Sequence, residues 1–144
     1  MQFAGLNILA IFLAAVAGWL IGTIYYMVLS RPWVEAQGDT MEAFSKRHAA
    51  KVAAGTDRIP FVIAFLAELV MAWIMAGVLG HLGPGQVTAR NGVITALFLF
   101  AGFVLTTGAV NNAFTGRRVL LTLIDAGHWL LVMVAMGVII GGFG

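Results

Sequence analysis

The sequence predicts an all-α polytopic membrane protein: a bundle of four transmembrane helices with a short cytoplasmic amphipathic helix between helices one and two. Three observations carry that expectation. Of 144 residues, 61% are hydrophobic and 10% charged, where soluble domains run near half apolar and a quarter charged. Four apolar runs are each long enough to cross roughly 30 Å of hydrocarbon. The basic residues sit almost entirely in two of the loops between them. The net charge of +2 forms no basic stripe on a soluble module, which excludes nucleic acid as an expected partner. There is no cysteine, so disulfide and thiolate chemistry are excluded. A single integral membrane domain over residues 1–144 accounts for the chain.

Residues 6–29 form the first span, without a charge. No Lys or Arg precedes it and it exceeds a signal-peptide core, so it reads as a helix that stays in the membrane. Tyr25, Tyr26 and Trp33 fall near its end, as interfacial aromatics do. Ala10, Ala14, Gly18 and Gly22 recur every four residues, a stripe that lets a second helix backbone approach. Pro32 is expected to end this helix, because the residue before a proline avoids the α region.

Residues 30–59 are the one long polar segment. Asp39 and Glu42 suit an N-cap and N3 pair for a helix over about residues 39–54. Met41, Phe44, His48 and Val52 share one side, flanked by Lys46, Arg47 and Lys51. That pattern fits a basic helix lying on the bilayer surface, against anionic lipid headgroups.

The second span, 60–80, begins with Pro60 in its first turn. Ala64, Glu68, Ala72, Ala76 and Gly80 make a second small-residue stripe, with one acid inside it. An acid on a close-packing face points at other helices rather than at lipid. A Gly/Pro turn leads to the third span, 91–110, which carries Thr106 and Thr107 and is followed by Asn111 and Asn112. The turn Gly116-Arg117-Arg118 opens the fourth span, 119–140, where Asp125 and His128 lie three residues apart on one helix face.

The loops orient the chain. With both termini outside, Arg31, Lys46, Arg47, Lys51, Arg58, Arg117 and Arg118 are cytoplasmic and only Arg90 faces out. The expected location is the bacterial cytoplasmic (inner) membrane. At 1.5 Å per residue Glu68 then lies about 12 Å deep, Asp125 about 9 Å and His128 about 13 Å. Tyr25, Tyr26, Thr106, Thr107, Asn111 and Asn112 fall in the same leaflet. One polar cluster of these nine residues is therefore expected. Asp125 would accept hydrogen bonds from Asn111, Asn112 or Tyr25, and Glu68 would pair with His128 or Arg117 or carry a proton. A constant offset across Gly22/Gly108, Tyr25/Asn111, Tyr26/Asn112 and Arg31/Arg117 suggests an internal repeat of helix pairs.

Two segments carry a family resemblance: GTIYYMVLSRPW over 22–33, and Asn111 to His128, where an Asn, a Phe and a short basic turn lead into Ile-Asp-Ala-Gly. Over nearly its whole length the chain resembles the small bacterial four-helix membrane proteins grouped as domain of unknown function 1761. Members often have Tyr where this chain has His128, and accept Asn at the position of Asp125. The resemblance supports the topology and implies no catalytic residue.

No P-loop, nucleophile elbow or zinc-binding His pair is present, and no metal or cofactor is expected. The leading functional expectation is a non-enzymatic membrane protein acting by assembly, as a homo-oligomer or an accessory subunit of a larger complex. Its warrant is the small-residue packing set Ala14, Gly18, Gly22, Ala72, Ala76 and Gly80. The alternative is a small transporter or channel using Glu68, Asp125 and His128. A lipid- or quinone-acting enzyme is the weakest reading.

Overall fold

A computed structural model describes residues 2–3 and 6–144. A two-pair antiparallel ladder, β1 (Gln2–Phe3) with β2 (Leu6–Asn7), precedes the helices. The remaining elements are helical. They are α1 (Ile8–Val28), α2 (Ser30–Ala36), α3 (Met41–Ala53), α4 (Ile59–Gly80), α5 (Ala89–Leu99), a π-helical segment (Phe100–Leu105), α6 (Thr106–Phe114) and α7 (Val119–Gly142). Four helical stretches are long and apolar enough to cross a membrane: 8–28, 59–80, 89–114 and 119–142.

Side chains that would face solvent in a soluble protein are apolar along all four stretches. Ile24, Ile63, Phe98 and Leu123 are examples. Lipid satisfies such surfaces, so what holds the helices together is close packing inside. The α7 helix lies against α1 on one side and α5 on the other, and α4 packs mainly on α1. Ala14, Ala15, Ala72, Met75, Val132 and Met136 fill the shared core.

The small-residue stripes are spent within the chain. Cβ atoms added at Gly18 would meet Met136 and Val132 of α7 and Glu68 of α4. The tightest crossing is between α5 and α7: a Cβ at Gly92 would collide with the backbone of Gly137, and one at Gly141 with that of Thr88. Gly80 differs from the rest of its stripe. It is exposed, and a Cβ there would meet only Leu6, at an ordinary 3.7 Å.

Several local expectations are corrected. Pro32 does not stop the helical path. Leu29 breaks α1, and Pro32 sits in the first turn of α2, where a backbone N–H has no intrahelical acceptor to lose. The N-cap of α3 is Thr40, whose hydroxyl accepts from Ala43 N at 3.2 Å. Asp39 instead accepts from Thr40 N and pairs with Arg47. The third span is not purely α. Its π segment leaves spare carbonyl capacity, which the Thr106 hydroxyl takes up by donating to Gly102 O at 2.8 Å.

Candidate functional site

The expected single cluster separates into three parts. The first is a buried carboxylate and imidazole. Glu68 on α4 is 2% exposed and His128 on α7 is 5% exposed. They approach the same gap left by Gly22 of α1. A Cβ placed on Gly22 would lie 2.7 Å from His128 Nε2 and 3.7 Å from Glu68 Oε1. The two side chains are nevertheless too far apart for an ion pair among the described residues, and Arg117 does not reach Glu68. Glu68 Oε2 and His128 Nδ1 are buried without a hydrogen-bond partner. An unpaired polar atom in an apolar interior costs about 1–3 kcal/mol, so two together form a costly arrangement.

The second part is a girdle around Asp125. Tyr26 donates to Asp125 Oδ1 at 2.8 Å and Trp33 Nε1 donates to the same oxygen at 3.2 Å. Tyr25 donates to the neighbouring Ile124 O at 2.9 Å. The expected donors were Asn111, Asn112 and Tyr25. None of them reaches the carboxylate: Asn112 donates to Thr122 and Tyr25 to Ile124 O, while Tyr26 and, from α2, Trp33 take their place. Ala36, Leu121 and Ile124 form a small core under this girdle. Trp33 is the residue that sequence reasoning missed. Its place near the end of the first span suggests an interfacial anchor, but a partly buried indole N–H needs an acceptor, and Asp125 supplies it.

Aromatic rings link these parts to the surface helix. His128 lies 4.8 Å from Tyr26, Tyr26 5.3 Å from Trp33, and Trp33 6.2 Å from Phe44, centroid to centroid. Phe44 in turn stacks on His48. By these contacts α3 docks although none of its residues is buried.

The third part is a cleft of about 490 Å³ between α4, the π segment, α6 and α7. Its polar wall is Thr107, Asn111, Asn112, Thr122 and Asp125, and Trp129 lies beside them. Asn112 donates to Thr122 Oγ1 at 2.9 Å and so ties α6 to α7. Thr106 belongs to none of the three parts, being committed to the π segment. The expected repeat has no counterpart in packing: Gly22 is enclosed, whereas nothing lies within 4 Å of a Cβ at Gly108.

Most of the basic residues expected at lipid headgroups have protein partners. Lys46 pairs with Glu42 at 2.8 Å, and Arg47 pairs with Asp39. Arg118 donates to Glu35 O at 2.9 Å, and Arg117 to Gln37 O at 3.5 Å, closing the C-terminal end of α2. Among the described residues no three His, Cys, Asp or Glu side chains converge as a metal centre requires.

The chain matches the family described as "Protein of unknown function (DUF1761)" over residues 9–141. It belongs to that family. Family membership covers all four apolar helices and the three parts of the site, and brings no assigned activity with it. No curated protein and no solved structure matches the chain.

Proposed function

We propose that this multi-pass membrane protein binds and passes a proton or a small solute, using Glu68 and His128 in the bundle interior with Asp125 at the adjoining cleft. The observation that supports this reading is the unpartnered pair, Glu68 Oε2 and His128 Nδ1, buried around Gly22. Ionisable groups inside a membrane bundle carry a cost that a proton or ion path justifies. A purely structural pair would be expected to bond to each other or to backbone. The assembly reading had rested on the small-residue stripes, and Ala14, Gly18, Gly22, Ala72 and Ala76 are occupied inside the chain. A homo-oligomer or larger complex therefore stands second.

The same proposal places the chain in a bacterial cytoplasmic membrane with both termini outside, supported by seven basic residues on one side against Arg90 on the other. The test is flux in proteoliposomes under an imposed pH gradient, with a trapped pH dye and a panel of small solutes. Wild type should dissipate the gradient, and Glu68→Gln should not while retaining the wild-type melting point. Equal flux from wild type and Glu68→Gln would sink the proposal, as would no flux from wild type across the panel.

A further inference from the structure

We infer that the cleft between the π segment, α6 and α7 is a binding site for an ammonium group carried on an apolar body, held by the Asp125 carboxylate and the Trp129 ring. This rests on the solute-binding reading above and names the class of solute. Four observations point to it.

The cleft has one charged group, Asp125, and no basic residue lines it among the described residues. An anionic headgroup would therefore meet a carboxylate without a counter-charge. Both protein hydrogen bonds to Asp125 go to Oδ1, from Tyr26 and Trp33. These donors fix the carboxylate and leave Oδ2 as an acceptor with no partner among the described residues. An ammonium is its natural complement, through a charge-assisted hydrogen bond or, if quaternary, through charge alone.

Second, Trp129 shares the cleft wall with Asp125. Indole is the aromatic ring that attracts a cation most strongly, so Trp129 and Asp125 together suit an organic cation. Third, the rest of the wall suits an amphiphile. Asn111 and Thr107 offer polar contacts at one end, while Met71, Phe103 and Val104 offer apolar surface. The volume of about 490 Å³ is that of a small-molecule pocket rather than of a single ion. Fourth, the cleft is built by the π segment itself, since Phe103, Val104 and Leu105 line it. A π segment inside a long helix is a strained choice that recurs at ligand sites.

The ammonium could come from a free amphiphile or from a lipid amine, and the two arms of the test separate them. The full chain is purified in dodecyl maltoside, which has no charged group. It is titrated calorimetrically with dodecyltrimethylammonium, with decyl sulfate as the anionic control, and separately with short-chain phosphatidylethanolamine. Saturable binding of at least one ammonium compound, and none of the sulfate, is expected; the tighter of the two identifies the carrier.

Asp125→Asn should weaken binding of either ammonium compound about tenfold or more, because the cation loses its counter-charge. Because Asp125 also holds Tyr26 and Trp33, a second variant leaves that girdle intact. Gly108 lines the cleft and has open space around it, so Gly108→Leu should fill the cleft and abolish binding without unfolding the chain. Gly77→Ala, away from the cleft with nothing within 4 Å, should bind the cation as wild type does. Cation binding by the wild-type chain alongside a failed flux assay would retain the ammonium site and discard transport. Equal binding of the sulfate, or wild-type affinity in Gly108→Leu, would overturn the inference.

Discussion

Tyr26 donates its hydroxyl to Asp125 Oδ1 at 2.8 Å, joining α1 to α7, and Trp33 adds a second donor to the same oxygen from α2. Hydrogen bonds between membrane helices contribute about 0.6 kcal/mol on average and up to about 1.7 kcal/mol. Tyr26→Phe should therefore cost about 0.6–1.7 kcal/mol in detergent-denaturation experiments, because Trp33 still holds the carboxylate. Tyr26→Phe with Trp33→Phe should cost more than the sum of the two single changes, since only the double variant strips Oδ1 of both donors. Strict additivity would show that the girdle does not act as a unit.

Gly92 and Gly137 bring the α5 and α7 backbones into direct contact. A methyl group on either would press on main chain, which cannot swing aside as a flexible side-chain tip can. Gly92→Ala and Gly137→Ala should each destabilise by about 1–3 kcal/mol, the range of an overpacked core. Gly77→Ala, on α4 with nothing within 4 Å, should be neutral or stabilising through helix propensity. Thermal melts of the three variants in one detergent decide this. A Gly137→Ala protein as stable as wild type would mean that the two helices do not cross at this pair.

The spans were legible because length and hydropathy alone set them: a run such as 6–29, without a charge, has few other solutions. Which polar residues meet was not legible. That depends on how each helix is rotated, and the answer turned on α2. Pro32 read as a stop, yet a first-turn proline is compatible with helix, and that extra turn delivers Trp33 to Asp125. The π segment left no trace either, because FAGFVL has the apolar composition of any membrane helix. The expected cap, Asp39, lies one residue ahead of the one the helix uses. Thr40 took the role, and Asp39 turned to Arg47, which a helix starting at Met41 places within reach. Depth along two helices suggests a Glu68–His128 pair, but that the two meet at Gly22 without bonding to each other depends on helix rotation.

The Asp39–Arg47 pair gives α3 a dependence on acid. The hydrogen bond from Arg47, aided by the Thr40 backbone N–H, holds the Asp39 carboxyl below its ordinary value of 3.8. A folded-state value below the unfolded one stabilises above the unfolded value and is lost as pH falls through the folded one. The N-terminal end of α3 should therefore be fully anchored above 3.8 and loosen below it. A nitroxide at Ser45→Cys should move faster in acid than at pH 6, and with Arg47→Ala it should be mobile throughout. A label as mobile at pH 6 in the otherwise native chain as with Arg47→Ala would rule the anchor out.

The absence of cysteine makes the orientation directly measurable, since any single cysteine is the only thiol to label. Ser45 lies exposed on α3, in the loop that holds five of the eight basic residues, and Pro84 lies exposed in the turn between α4 and α5. Basic loops resist translocation, so the α3 side should stay inside and the Pro84 turn should face out. In intact spheroplasts an impermeant maleimide should label Pro84→Cys and spare Ser45→Cys until the membrane is lysed. Neither substitution touches a transmembrane contact, so expression should match the native chain. The reverse pattern would invert the topology and put the Arg117–Arg118 turn outside. Glu68, Asp125 and His128 would then lie in the outer leaflet, and the cleft would draw its ligand from the opposite side of the membrane. The direction of any flux in proteoliposomes is thus tied to this one labelling result.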